Sequence, residues 1–508
     1  MLDRSEILNI LNEVEDRFPV DQWIVGGLHV WPLVRVVLTN ILLDAYHGIG
    51  IQQEARYERL TGLVRRVVRT YGGYLKAIIE DRRKNASTSL PVKVVFLGDG
   101  ASFVKQDGFY YDRFCEPLID FLESRSIDSL FLTYGNYYYH PRHNPSKWIQ
   151  PYMDWIRLRA RGTRKATPQG TTDLPQFQDF FKWIQPEFPF VTQDRFPLAW
   201  SVFLIQQTCD YFLSLFRRVR PVFAVTAQYY GLENFAFNLA CRRFNIPSME
   251  IQHGLQGRAN PFYVGWHRHP QEGYEVFPDY FWVWSEYERQ CIMDWTSRFV
   301  NCPKPVIGYN YYLEIWKEGQ QEITHMFRSK IEKVKNSFFG KKHILVTLQG
   351  PKQMDSGHQM LLRYALEKTW DSHVWWFRLH PTFIDKKRYF KNCFSGFDNT
   401  VDISVATELP LYSLLPHMDL HMTYNSSSVL EAEQFGVASI VYSIDGRDSY
   451  PEQIESGMAL HVSTPEALLD GIWEQGARRV PVSELKLKSE ERLNASRKVL
   501  LDLIEKGF

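Results

Sequence analysis

The chain has 508 residues, with 59 Lys plus Arg against 58 Asp plus Glu and a formal net charge of +1. That length is enough for more than one buried core. The charge balance excludes a nucleic-acid binder driven by bulk charge, and 44% hydrophobic with 23% charged residues excludes global disorder. The aromatic share, 15%, suits either carbohydrate-handling clefts or an aromatic core. Six scattered cysteines (Cys115, Cys209, Cys241, Cys291, Cys302, Cys393) show no CxxC or Cys/His ligand spacing, so neither a disulfide framework nor a zinc site is expected. The opening MLDRSEILNILNEVEDRF carries charges where a signal peptide needs an apolar run. The stretch 26–43 is interrupted by His29, Pro32, Arg35 and Asn40, which reads as a buried or interface-lying helix rather than a span. A soluble cytoplasmic protein is expected.

Residues 1–90 read as a helical region, with apolar positions three and four apart in EILNILNEV and PLVRVVLTNILLDAY. The stretch 56–84 is basic and amphipathic, with Arg65, Arg66, Arg69, Arg82 and Arg83. A solvated helix face is its plain reading; contact with anionic lipid, as a peripheral contact with the inner membrane, or with glycan phosphate is the sharper one. From residue 91 short apolar runs (VKVVFLGDG, DSLFLTYG, PVFAVTAQ, IPSMEIQHG, YFWVWSE) alternate with helical patterns, as buried parallel strands do. At about 136–190 the alternation fails in a Trp-, Tyr-, Pro- and Arg-rich insertion. After PKPVIGYN a second series begins: KKHILVTLQG, SHVWWFRLHP, HMDLHMTYNSSS and VASIVYSID. The expected organisation is α/β: two Rossmann-like domains facing a central cleft, 91–308 and 309–480, with an N-terminal helical extension and closing helices at 481–508.

In open parallel sheets ligands bind beyond the carboxyl ends of the strands. Three such ends in the second half carry polar residues. Arg378, His380 and Pro381 close WWFRLHP, where a histidine can donate to a phosphate oxygen and the proline stiffens the turn. Ser426, Ser427 and Ser428 open the helix VLEAEQFG, a place suited to phosphate, and Glu431 lies about one turn on, able to accept from a ribose diol. Ser428 and Glu431 also have the spacing of a capping box, which needs no ligand. Gln349 and Gly350 follow the first strand, where glycine admits close backbone approach. In the first half, Glu233 stands at the start of a helix over 232–244 and His253 ends the next strand in QHG. On one rim they form a general base or orient an acceptor hydroxyl; capping its own helix is the competing role for Glu233. Asp112 and Glu116 are further candidates of this kind, with a solvated loop as the cheaper explanation.

Together QHG, VWSEYERQ leading to PVIGYN, RLHP and NSSSVLEAEQFG resemble GT-B-fold glycosyltransferases, closest to bacterial surface-polysaccharide enzymes that use CMP-activated sugars, including Kdo and sialyl- or polysialyltransferases. The resemblance spans about residues 91–480. It implies that His380 and Pro381, as the HP motif, and Ser426, Ser427 and Ser428, as the serine motif, hold the CMP part of the donor. It also nominates Glu431 for the donor ribose.

The implied reaction moves a sugar from a nucleotide-activated donor to a glycan or glycolipid acceptor, with phosphate leaving from an oxocarbenium-like state. His380, the serine turn and a helix start would hold the leaving phosphate, with Glu233 or His253 on the acceptor side. No DxD triplet is present, so no metal cofactor is expected. The competing readings keep the fold and change the chemistry: a UDP-sugar transferase, a UDP-GlcNAc 2-epimerase-like enzyme, a CDP-glycerol phosphotransferase, or a non-catalytic scaffold.

Overall fold

The computed structural model describes residues 4–46, 60–85, 91–106, 108–135, 140–162, 174–258, 260–318, 327, 329–332, 335–336, 338–350, 356–397, 401–478 and 482–506. The chain divides into two compact units. The first holds residues 1–103, 109–309 and 496–508, and the second holds 104–108 and 310–495.

The first unit is built on a seven-strand sheet: β1 (Val94–Asp99), β2 (Ser129–Tyr134), β3 (Lys147–Trp148), β4 (Phe223–Thr226), β5 (Ser248–Ile251), β6 (Tyr280–Val283) and β7 (Lys304–Ile307). Their spatial order is β7-β6-β5-β4-β1-β2-β3, parallel throughout. Central strands such as β1 and β4 are buried on both faces, which is why they read as unbroken apolar runs. The sequence patterns mark every strand except the two-residue β3, inside the insertion, and β7, whose Pro305 hides it.

The helical region ahead of residue 91 is not an appendage. Helices α1 (Arg4–Arg17) and α2 (Trp31–Tyr46) place Ile7, Leu11, Val14, Val34 and Leu38 in the same core as Leu97, Phe235 and Trp295. The aromatic insertion joins them there. Trp23 packs edge-on against Phe177 at 4.9 Å between ring centroids and donates from its indole N–H to the Pro175 carbonyl at 2.7 Å. Around Phe177 the aromatic residues of the insertion are therefore core. Amphipathic periodicity reveals that a helix buries one face but not which element it buries it against. Helix α3 (Leu60–Asn85) packs on α4 (Gln150–Gly162). Among the described residues no helix is long and apolar enough to cross a membrane.

The second unit is a six-strand parallel sheet of β8 (Lys342–Leu348), β9 (His373–Leu379), β10 (Val401–Asp402), β11 (Leu420–Thr423), β12 (Ser439–Val441) and β13 (Ala459–His461), in the order β10-β9-β8-β11-β12-β13. Its core joins Ile344, Val346, Trp375, Phe377, Met422 and Ile440. The last helix, Val482–Lys506, belongs to the second unit up to Ala495 and to the first from Ser496, where the Ser496 hydroxyl donates to the Gly308 carbonyl at 2.6 Å. The closing helices are thus part of both units rather than a separate segment.

Candidate functional site

Strand order places a switch point in each sheet, where successive connections leave the central strand in opposite directions. In the first unit it falls between β1 and β4. Asp99 ends β1, and the loop after β4 carries Gln228 and Tyr230. Beside it, β5 runs into Gln252 and His253. The Tyr230 hydroxyl lies 3.2 Å from His253 Nε2, and the Tyr230 ring stacks on Phe262 at 4.6 Å.

Behind His253 stands Glu250, a wholly buried carboxylate on β5. Its Oε1 accepts from the Tyr263 hydroxyl at 2.5 Å and from Gln256 Nε2 at 3.3 Å, and lies 3.6 Å from His253 Nδ1. Its Oε2, like His253 Nδ1, has no hydrogen-bond partner among the described residues. Burial pushes the Glu250 carboxyl above the usual carboxylate range, with the His253 imidazole and the Tyr263 hydroxyl pulling it back. His253 itself keeps about a quarter of its side chain (24%) open to solvent. Tyr230, His253 and Glu250 therefore form a line of groups that can hold and pass a proton, with one end buried and the imidazole accessible.

The carboxylate in reach of His253 is thus Glu250, not Glu233. Glu233 occupies the first turn of α5 (Leu232–Phe244), is buried, and is ion-paired with Arg157 of α4. Next to it Asn234 accepts from the Thr226 hydroxyl at 3.0 Å and donates to the Tyr134 hydroxyl at 2.8 Å, pinning the helix start to the strand ends.

Asp112 and Glu116 are not on a solvated loop; both are wholly buried. Asp112 Oδ1 accepts from the backbone N–H of Phe114 and Cys115 at 2.9 and 2.8 Å. Glu116 accepts from the N–H of Asp112 and, at 2.9 Å, of Asn144. Burial, with each carboxylate opposing its neighbours, raises Asp112 to about 6 and Glu116 to about 8. This is a folding pair: their hydrogen bonds hold the turn into the helix Glu116–Ser124.

In the second unit the switch point lies between β8 and β11, and a reciprocal pair spans it. Gln349 Nε2 donates to the Asn425 carbonyl at 2.7 Å, and the Asn425 N–H donates to Gln349 Oε1 at 3.0 Å. Gly350 follows against Phe383; an added Cβ would stand 3.0 Å from that ring. His380, just beyond β9, is exposed, and its N–H donates to the Leu348 carbonyl at 3.0 Å, holding the two strand ends together. Pro381 opens the short 3-10 segment Pro381–Lys386. Ser426 and Ser427 are half-buried between Asn425 and the helix Ser428–Gln434. Three neighbouring strand ends thus gather Gln349, Gly350, His380, Ser426 and Ser427.

The other three candidates turn to protein partners. Ser428 is buried, with its hydroxyl 2.9 Å from that of Thr347 and 3.1 Å from His421 Nε2. His421 is stripped of water and pushed down to about 3, so this polar cluster is neutral. Glu431, also buried, accepts from the Tyr412 hydroxyl at 2.6 Å. Arg378 donates to the carbonyls of Leu409 and, at 2.7 Å, of Ala406. The capping box does not form: Ser427 is the cap residue and its side chain makes no capping bond.

A scan against protein-family models and a search of curated proteins found no match. Solved structures do match. The UDP-GlcNAc 2-epimerase from Neisseria meningitidis bound to UDP-GlcNAc is 13% identical, with 82% of this chain and 100% of that one covered at a TM-score of 0.50. The chain has the GT-B-like fold. A glycosyltransferase from Rickettsia africae is 12% identical over 82% of this chain and 98% of that one, with a TM-score of 0.47. The Methanocaldococcus jannaschii UDP-GlcNAc 2-epimerase in complex with UDP-GlcNAc and UDP is 13% identical over 81% and 99%, with a TM-score of 0.47.

Proposed function

We propose that the chain is a nucleotide-sugar-dependent glycosyltransferase of surface-polysaccharide synthesis, with a CMP-linked sugar (Kdo or a nonulosonic acid) as donor and a glycan or glycolipid as acceptor. The observation that carries this reading is the meeting of Gln349, Gly350, His380, Ser426 and Ser427 at adjoining strand ends of one sheet, around its switch point. There the exposed imidazole and the two half-buried hydroxyls supply donors to the phosphate that leaves, without calling on a metal. In the first unit His253, backed by Glu250 and touching Tyr230, takes the acceptor's proton. Ser428, Glu431 and Arg378 shape this region through the protein rather than touching the nucleotide.

The second reading is an epimerase acting on a UDP-sugar, favoured by the match to an epimerase bound to UDP-GlcNAc. Titration of the purified chain with CMP, CDP, UMP, UDP and GDP, read by heat release, separates the two. Preference for CMP that disappears in His380→Ala supports the transferase with a CMP-linked donor. Preference for UDP moves the assignment to the second reading. Binding of none of the five refutes both.

A further inference from the structure

Helix α3 carries a surface that the nucleotide chemistry leaves unused. One face packs on α4 and the adjoining β3: Tyr74 stacks on Trp155 at 5.0 Å, and Asp81 accepts from Lys147 at 2.5 Å and from the Tyr152 hydroxyl at 2.6 Å. Beside that face, at spacings of three, four and four residues, run Val68, Tyr71, Leu75 and Ile79, exposed by 65, 47, 39 and 52%. Those spacings put all four on one stripe of a 3.6-residue helix. Among the described side chains, each of the other helices exposes at most one large apolar residue. The Tyr71 ring meets Trp155 at 5.4 Å, so the edge of the stripe is aromatic.

Charge decides what covers such a stripe. Arg69 and Lys76 are exposed on the same helix. Its sequence also contains Arg65, Arg66, Arg82, Arg83 and Lys84, against only Glu80 and Asp81; Asp81 is paired with Lys147, and Glu80 lies 3.9 Å from Lys76 in a solvent-exposed pair, so the helix keeps a basic excess. A second copy would bring one net-basic helix onto another, which repels. An anionic surface with an apolar interior answers both parts. We infer that α3 is an interfacial helix that rests the first unit on an anionic lipid bilayer. Val68, Tyr71, Leu75 and Ile79 enter the boundary of the acyl chains while Arg69 and Lys76 meet the headgroups. Tyr71 and Trp155 are the residue types that settle at that boundary.

The test uses the full chain in flotation with phosphatidylcholine vesicles, with and without phosphatidylglycerol. The expected result is binding that requires phosphatidylglycerol and weakens with added salt. Leu75→Glu/Ile79→Glu and Arg69→Gln/Lys76→Gln should each weaken it at least about tenfold. Because all four side chains are exposed, melting temperature and nucleotide binding should stay as in the parent chain, so failure here is distinct from failure of the proposed activity. Equal binding to both vesicle types, unchanged binding in either double variant, or no binding at all overturns the inference. So does a parent dimer in sedimentation equilibrium that Leu75→Glu/Ile79→Glu converts to monomer, since the stripe would then be covered by a second copy.

Discussion

Replacing Arg35 by methionine tests how the N-terminal helices are held. Arg35 is wholly buried on α2, and its guanidinium lies 4.3 Å from the Trp266 ring centroid. It pairs with Glu15 of α1 and donates to the carbonyls of Pro261 at 3.0 Å, Val264 at 2.7 Å and Gly265 at 3.2 Å. Glu15 in turn accepts from the Trp31 indole and the Arg268 N–H, each at 2.8 Å, and from the His267 N–H. One ion pair thus ties two N-terminal helices to the 261–268 segment that follows His253. Burial raises the Glu15 carboxyl and the Arg35 charge is the largest influence lowering it, so Arg35→Met leaves a carboxylate without its counter-charge in the core. Breaking one side of such a pair costs about 3–5 kcal/mol, against roughly 5–15 kcal/mol for a whole domain. Urea unfolding at neutral pH, followed by tryptophan fluorescence, reads that loss. The double variant Glu15→Gln/Arg35→Met removes both charges and should recover part of it. A single variant within about 1 kcal/mol of the parent would refute the reasoning, because the pair would then not be what fastens the helices.

Gly308→Ala should destabilise by about 3 kcal/mol or more, measured by thermal melting: a Cβ there would stand 1.7 Å from the Trp282 ring, which is buried and bonded through its indole to the Tyr309 carbonyl at 2.9 Å. Glu116 should make stability depend on pH. Its folded value of about 8 lies well above that of an unfolded carboxyl, so the folded state keeps a proton that the unfolded chain releases, and stability falls as pH rises from about 5 to about 8. In Glu116→Gln that slope should flatten in denaturant titrations across the range; an unchanged slope would place its origin elsewhere. Glu250→Gln should lower turnover at least about tenfold with nucleotide affinity intact. Glu233→Gln should lower melting temperature through Arg157 and leave turnover near that of the parent. The reverse pattern would return the acceptor side to Glu233.

Most of the fold is legible in the sequence because buried parallel strands are apolar on both faces, and runs such as VKVVFLGDG and KKHILVTLQG carry that mark directly. What pairs with what is not. Nothing local in α1 or in the stretch around Phe177 says that they share a core, since periodicity reports a buried face and leaves its partner open. The same gap explains the candidate residues. Ser428 and Glu431 have capping-box spacing, and their helix context suggests a ligand; their partners, Thr347, His421 and Tyr412, come from elsewhere in the unit. Glu250 did leave a trace: a carboxylate inside IPSMEIQHG, otherwise a buried strand, needs a partner to be tolerated.

The strand order supplies what spacing cannot. Gln349 and Asn425 are 76 residues apart, and each is unremarkable in its own stretch of sequence. Their mutual bonds arise because β8 and β11 are neighbours, as the parallel pairing of Thr347 with Thr423 shows. Likewise Tyr230 and His253 meet because β4 and β5 pair, Thr226 against Glu250. In both sheets the polar loops that carry the candidate residues lie at or beside the place where the connections reverse direction, and there the loops part instead of packing over one another. A reciprocal side-chain-to-backbone pair such as Gln349 with Asn425 then does what a covering helix would do elsewhere. It satisfies the backbone at the strand end and fixes the loop that presents Ser426 and Ser427. On the proposed function, the donors for the departing phosphate are groups already held by the fold, which need no reorganisation when charge develops.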